Sequence, residues 1–353
     1  MRYILLSCLF LAACAADTTR HRTHDSQTGR LLCEGEVRTL ESGVRLAEGE
    51  WRFYYPGGEP QARGRFRSGA LPEDAGGDCS LPVPRVGREG FWTFWSDAGV
   101  VIAEGSYRGG KKHGDWTYRH AGGELRASGT FVDGREQGEH RRYHPNGQLQ
   151  SRTHYIAGKR HGEHSEWDAD GTLRDEGRFL SGAEVGVHKN YDANGTLRES
   201  GKFEGGRRTG IWRSWDDAGQ LEWERSYNQG REHGEWRAYY ANGTLRQRAT
   251  YANGVQEGPL TAYGETGEPQ WEFIYSAGEQ RGRRTFWFGS GLKRSEGDYL
   301  EGKPVGLHKT WHESGQLASQ GRYREGMRVG SWHYWDTNGT PVSGPDQRFA
   351  SAR

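Results

Sequence analysis

The chain has almost no charge bias. Its 353 residues carry 48 basic and 47 acidic side chains, a formal net charge of +1. A global basic field that would steer nucleic acid is therefore missing. Aliphatic runs are scarce. Hydrophobic residues are 33% of the chain and the mean hydropathy is −0.98, which argues against one thick core. Cysteine is rare, at four residues, and no catalytic constellation stands out. What is abundant is glycine, 55 residues, about twice the usual share. Aromatics reach 12%, with 14 Trp and 17 Tyr. Disorder fits low hydrophobicity but not so many rings. A thin sheet fits both, with glycine making turns and rings supplying burial.

The N-terminus reads as a targeting segment. Arg2 is followed by an apolar run, Tyr3 to Leu11, too short to span a bilayer as a helix. Leu11-Ala12-Ala13-Cys14 resembles the lipobox of bacterial lipoproteins. That resemblance implies a signal peptide over 1–13 and a lipidated Cys14 as the mature N-terminus. Ala15, where Asp would favour inner-membrane retention, leans towards the outer membrane. One lipidated end attaches a chain to a membrane without spanning it. The polar stretch up to residue 28 is expected to be a flexible tether. Cys33 and Cys79 are candidates for a disulfide in an oxidising envelope, and too far apart in sequence to suggest a metal site.

The body is periodic. Gly90, Gly114, Gly138 and every twenty-fourth residue to Gly330 are glycine. Counting each leading glycine as position 0, position 9 is again glycine in every repeat. Position 17 is a ring in the first ten, from Tyr107 to Tyr323, and position 20 is glycine in the same ten. One more repeat lies upstream, carried by Gly49, Trp51, Tyr54, Gly58, Gly64 and Phe66. The expected organisation is a half-repeat or cap over 29–48, a first repeat over 49–69 and an insertion over 70–86. Tandem repeats follow over 87–342, with a tail over 343–353.

Each repeat reads as a β-hairpin. Asn146-Gly147, Asn242-Gly243 and Asn338-Gly339 sit between polar-aromatic stretches. Asn-Gly favours a type I′ turn, in which both central residues have positive φ. The second strand alternates: Leu197, Glu199, Gly201 and Phe203 share one face, and Arg198, Ser200 and Lys202 the other. In the first strand Trp212 and Trp215 have opposite parity. Either a bulge brings both to one face or the two rings pack on opposite sides. The expected fold class is all-β, an elongated single-layer antiparallel meander of tandem 24-residue hairpins. Each repeat would add roughly 9–10 Å, and the array would be on the order of 100 Å long.

Gly234-Glu235-Trp236, Tyr239, Asn242-Gly243, Leu245, Tyr251 and Gly254 resemble the MORN repeat in its bacterial variant form. The likeness extends over about 49–342. Such sequences are often grouped with the YwqK-type family of antitoxin-like proteins. The resemblance implies elongated β-sheets used in scaffolding, dimerisation or phospholipid contact. Cell-wall choline-binding repeats are similar short Gly- and Trp-rich hairpins, but lead with G-W where this chain has G-x-W.

The candidate functional residues follow from the repeats. Trp92, Trp116, Trp212, Trp236 and Trp332 are candidate binding-face rings for a glycan or peptidoglycan. Lys111, Arg135, Lys159, Arg207, Arg231 and Lys303 follow a turn glycine and form a candidate basic edge row. That row would touch anionic lipid head groups or blunt the edge against aggregation. His140, His164, His188 and His308 share the slot of Trp116 and Trp212, and read as half-exposed rings rather than metal ligands. The expected function is a non-catalytic, lipid-anchored scaffold that binds an envelope protein, with no cofactor, no metal and no nucleic acid. A glycan-binding or phospholipid-surface array is the alternative.

Overall fold

The structure is a computed structural model that describes residues 18–71 and 83–344. Cys14, Cys79 and most of the tail lie outside the described residues. Those residues form 27 strands and no helix. The chain divides into two compact segments, Met1–Gly171 and Thr172–Arg353. In each segment successive strands pair antiparallel, so each is an open meander of the expected all-β kind.

One repeat shows how the sequence builds the ladder. β5 (Arg88–Trp95) and β6 (Val101–Arg108) place Gly90 opposite Tyr107, Trp92 opposite Gly105, and Phe94 opposite Ala103. β6 next pairs with β7 (Lys111–Arg119). Gly105 faces Trp116, but the adjacent Ser106 faces His113. Gly114 and Asp115 are skipped, so a bulge falls at the leading glycine. Every leading glycine from Gly90 to Gly330 has φ between 65° and 97°. An L side chain adopts that region at a cost, which is why the position is glycine each time.

The turns differ from expectation. Strand pairing stops at Tyr143 opposite Leu149, so the Asn-Gly loop has five residues rather than two. Gly147 has φ +85° and its N–H donates to the His144 carbonyl at 2.9 Å, but Asn146 has no positive φ. The type I′ turns lie between repeats instead. Val132 pairs with Arg135 around Asp133 (φ +49°) and Gly134 (φ +83°). The freed asparagine has another use: Asn146 Nδ2 donates to the Ala169 carbonyl in the next loop at 2.5 Å.

The N-terminal boundary is also corrected. Residues 18–24, expected to belong to a flexible tether, form β1 (Thr18–His24) against β2 (Leu31–Thr39). His21 faces Gly35 just as Trp92 faces Gly105, so the expected half-repeat is a whole one. The sequence hid it because Thr19 stands where a leading glycine is expected.

The densest burial surrounds this start. Leu32, Cys33, Val37, Trp51, Phe53, Phe66 and Trp92 form one cluster. Cys33 is fully buried and disulfide-bonded; the expected partner, Cys79, is outside the described residues. Leu71 and Val83, at the two ends of the insertion, pack into the same cluster. The described ends of the insertion therefore cover core.

Candidate functional site

The register sorts each repeat into two faces. Positions 2, 4, 13, 15 and 17 share one face, as Trp92, Phe94, Ala103, Gly105 and Tyr107 do. On this ring face a repeating lock is built. The position-2 ring of one repeat lies flat over the position-15 glycine of the repeat before it: Trp116 over Gly105, Trp212 over Gly201, Trp332 over Gly321. A Cβ on any of these glycines would fall inside the ring's van der Waals envelope. These glycines serve close approach, not turning. The preceding position-17 ring meets the same indole edge-on, Phe203 against Trp212 at 4.9 Å and 81°. Such pairs contribute about 0.5–1.5 kcal/mol each beyond area burial.

The histidines complete the pattern. Trp116 Nε1 donates to the Ser106 carbonyl at 2.9 Å and Trp212 Nε1 to Lys202 at 3.1 Å. His140, His188 and His308 place Nε2 at 2.9–3.0 Å from the equivalent carbonyls of Thr130, Arg178 and Asp298. Imidazole thus replaces indole as ring and donor together. It sits over Gly129, Gly177 and Gly297 in the same way, and His188, like His164, is 5% exposed, so these two are buried where half-exposed rings were expected. His164 is the variant, because Thr153 stands where the glycine would be. The Thr153 hydroxyl lies 2.7 Å from His164 Nδ1. Among the described residues no three metal-ligating side chains cluster.

This lock corrects three of the five candidate binding-face rings. Trp92, Trp116 and Trp212 are 0%, 2% and 1% exposed, so their faces are closed to a sugar. Trp236 and Trp332 are half-buried. The reason is packing across repeats, which parity within one strand does not reveal. Position 22, which sequence reasoning passed over, supplies a cation over four of these rings, all but Trp236. Arg88 is buried and lies 4.9 Å from the Trp92 centroid; its guanidinium also donates to the Pro84 and Val83 carbonyls and the Tyr107 hydroxyl. Burial pushes its pKa down. Lys112 lies 4.6 Å from the Trp116 centroid and donates to Tyr118. Burial pushes the Tyr118 hydroxyl up to about 12.

The basic row is exposed throughout, each member opening its strand. Its aliphatic stems lie along the turn glycine of the following repeat, as Lys111 does on Gly134 and Arg207 on Gly230. Lys111, Arg135 and Lys159 occupy three consecutive repeats. In the second segment Ala183, Val255, Glu279 and Met327 interrupt the slot.

A second row of rings runs along the opposite face. Position 5 holds Tyr54, Trp95, Tyr143 and Trp167 in the first segment, with Arg119 in one repeat. In the second it is Tyr191, Trp215, Tyr239, Tyr263, Trp287, Trp311 and Trp335, without a break. All are half-buried. Tyr191 donates to Glu176 and Tyr239 to Glu224, side chains of position 14, which settles the parity question: position 5 packs on the other side from position 2. The sequence motif showed these rings but not their face.

The profile of the MORN repeat variant matches residues 47–67, 136–157, 232–253 and 304–325. Each match covers one hairpin in the register above. No curated protein matches. Among solved structures, a TcdB2-TccC3-Cdc42 crystal structure is 15% identical over 88% of this chain and 18% of that chain, with a TM-score of 0.17. The Tc holotoxin pore of Photorhabdus luminescens is 12% identical over 91% and 18%, with a TM-score of 0.19. This chain therefore spans under a fifth of either, and overlap this slight carries no argument.

Proposed function

The chain is a MORN-repeat-variant protein, and from that premise we propose a non-catalytic scaffold, anchored to a bacterial envelope through a lipid on Cys14, that binds a partner protein there. The observation that supports it most is the position-5 row on the face opposite the lock. A ring in every repeat from Tyr191 to Trp335 stays half-exposed on this face, an unbroken series of seven. Leucine lies beside it at position 11, as Leu197 pairs with Tyr191 and Leu221 with Trp215. Half-exposed rings at regular intervals suit the anchors of a protein interface, where aromatic side chains carry most of the affinity.

The test is retention of an envelope protein on the immobilised full chain, washed at low and high salt. A single partner held at high salt, and lost with Trp215→Ala plus Trp311→Ala, is the expected result. Retention unchanged by those substitutions would refute the assigned face. A second reading rests on Lys111, Arg135 and Lys159, whose charges have no carboxylate within 4.0 Å among the described residues. It places that edge against anionic head groups. Binding to vesicles containing phosphatidylserine that disappears in high salt supports it, and equal binding to neutral vesicles counts against it.

A further inference from the structure

We propose that the ring face of the first segment carries a binding cavity for an acidic sugar, between Lys112 and Glu166. The cavity has a volume of about 580 Å³ and arises from a change in the lock. In three repeats positions 2 and 4 are ring pairs: Trp51 with Phe53, Trp92 with Phe94, and Trp116 with Tyr118, each with centroids 5.8–5.9 Å apart. Those pairs fill the face. The next two repeats have His140 with Arg142 and His164 with Glu166. An imidazole is smaller than an indole, and a flexible side chain replaces the second ring. The unfilled volume is the cavity.

Its chemistry is one-sided. Four basic residues line it, Lys112, Arg126, Arg142 and Arg160, against the two carboxylates of Glu136 and Glu166, while Arg141 borders it with its guanidinium paired to Glu139 at 2.6 Å. Arg126 and Arg142 are exposed at its rim, and neither has a carboxylate within 4.0 Å among the described residues. The Arg126 guanidinium lies 5.8 Å from the Tyr118 centroid, so it is held over the same face. Tyr118, Phe131 and Tyr155 give flat apolar walls. Flat walls take the apolar face of a pyranose, and guanidinium groups take a phosphate or carboxylate on it. The volume lies in the range of about 300–1,000 Å³ usual for small-molecule sites. A neutral sugar would leave the excess cation unused.

This goes beyond the scaffold reading, because the cavity is built from first-segment residues and the scaffold reading rests on the row from Tyr191 to Trp335 in the second. Failure of protein capture would leave it standing, and the reverse also holds. The test is calorimetric titration of the full chain with glucuronic acid and glucose 6-phosphate, beside glucose and inorganic phosphate. Both acidic sugars are expected to bind saturably, more tightly than glucose or phosphate. Arg142→Ala and Arg126→Ala are each expected to weaken binding by about tenfold, the size of a charge-assisted hydrogen bond. His140→Trp with Arg142→Tyr restores the ring pair of the preceding repeat and should abolish binding while the circular dichroism is kept. If that variant fails to fold, the two rim substitutions decide alone. The proposal is overturned by glucose binding as tightly as glucuronic acid, or by phosphate matching glucose 6-phosphate. It is also overturned by affinity unchanged in the rim variants, or by no binding of either acidic sugar.

Discussion

Adding one methyl group at Gly201 is expected to cost more than almost any other single change in the second segment. Trp212, 1% exposed, lies flat on Gly201. Its indole is pinned by three further contacts. Nε1 donates to the Lys202 carbonyl at 3.1 Å, Phe203 meets the ring edge-on at 4.9 Å, and the Arg208 guanidinium sits 4.0 Å from its centroid. Gly201→Ala drives a Cβ into that ring, and the backbone below belongs to a paired strand that cannot retreat. Overpacking a core costs about 1–3 kcal/mol, and displacing the indole loses a hydrogen bond of about 1 kcal/mol. The expected loss is about 2–4 kcal/mol. The protein supplies its own control: where position 15 is Ala249, position 2 of the next repeat is Leu260, and Ala249 is fully buried. Gly201→Ala combined with Trp212→Leu should therefore cost less than the sum of the two single changes, by at least 1 kcal/mol. The assay is urea unfolding followed by circular dichroism. Hydrogen exchange over 197–215 gives a local readout, since repeats open in part before the whole. A cost below about 0.5 kcal/mol for Gly201→Ala, or additivity within that margin, would refute the lock as described.

Two further outcomes follow from the same geometry. Ala157 holds φ +50° at the first turn position before Gly158, a region that alanine occupies at a cost and asparagine tolerates. Ala157→Asn should raise stability by about 0.5–1 kcal/mol in the same urea assay, and a lower midpoint would contradict the type I′ assignment. Glu34, 8% exposed, faces Arg20 at 2.8 Å and Arg22 at 3.3 Å. Burial alone would raise its pKa, but the two guanidiniums outweigh it and hold the carboxyl below its ordinary 4.5. A lowered folded pKa means stabilisation that is complete above the unfolded value and lost as pH falls through the folded one. Exchange protection of β1, corrected for intrinsic rates, should drop as pH falls below about 4.5 and become pH-independent in Glu34→Gln. Unchanged protection in the parent protein down to low pH would remove Glu34 from that role.

Much of this was legible in the residues. The leading glycines, the position-17 rings and the alternation from Glu199 to Phe203 announced hairpins, and hairpins are what form, but a register shift pairs Leu197 with Tyr191 and so takes it off the face expected for it. Register is local, fixed by period-2 burial and by turn length, so a sequence can carry it. The replacement of Trp116 by His140 was readable for the same reason: one slot, one ring, one donor. Errors arose where a local signal had two solutions. Asn146-Gly147 names a turn, but loop length depends on where Tyr143 and Leu149 stop pairing. β1 lacks a leading glycine, and only its partner strand marks it as a repeat.

Three of the candidate rings, Trp92, Trp116 and Trp212, are buried for a deeper reason. Position 2 and position 5 are both aromatic, and the sequence by itself determined that each repeat carries two rings on a strand. Which ring is buried was decided by contact across repeats. Trp212 closes on a glycine that belongs to the preceding hairpin, while Trp215 points to the other face and stays half-exposed. The cavity has the same origin. His140 and Arg142 are unremarkable in a one-dimensional reading, and become a site only because Trp116 and Tyr118 fill the rung before them. Periodicity prescribes the strands, turns and ladder, because each depends on residues close in the chain. Burial and open space depend on what the neighbouring strand places above them, and only the tertiary structure supplies that.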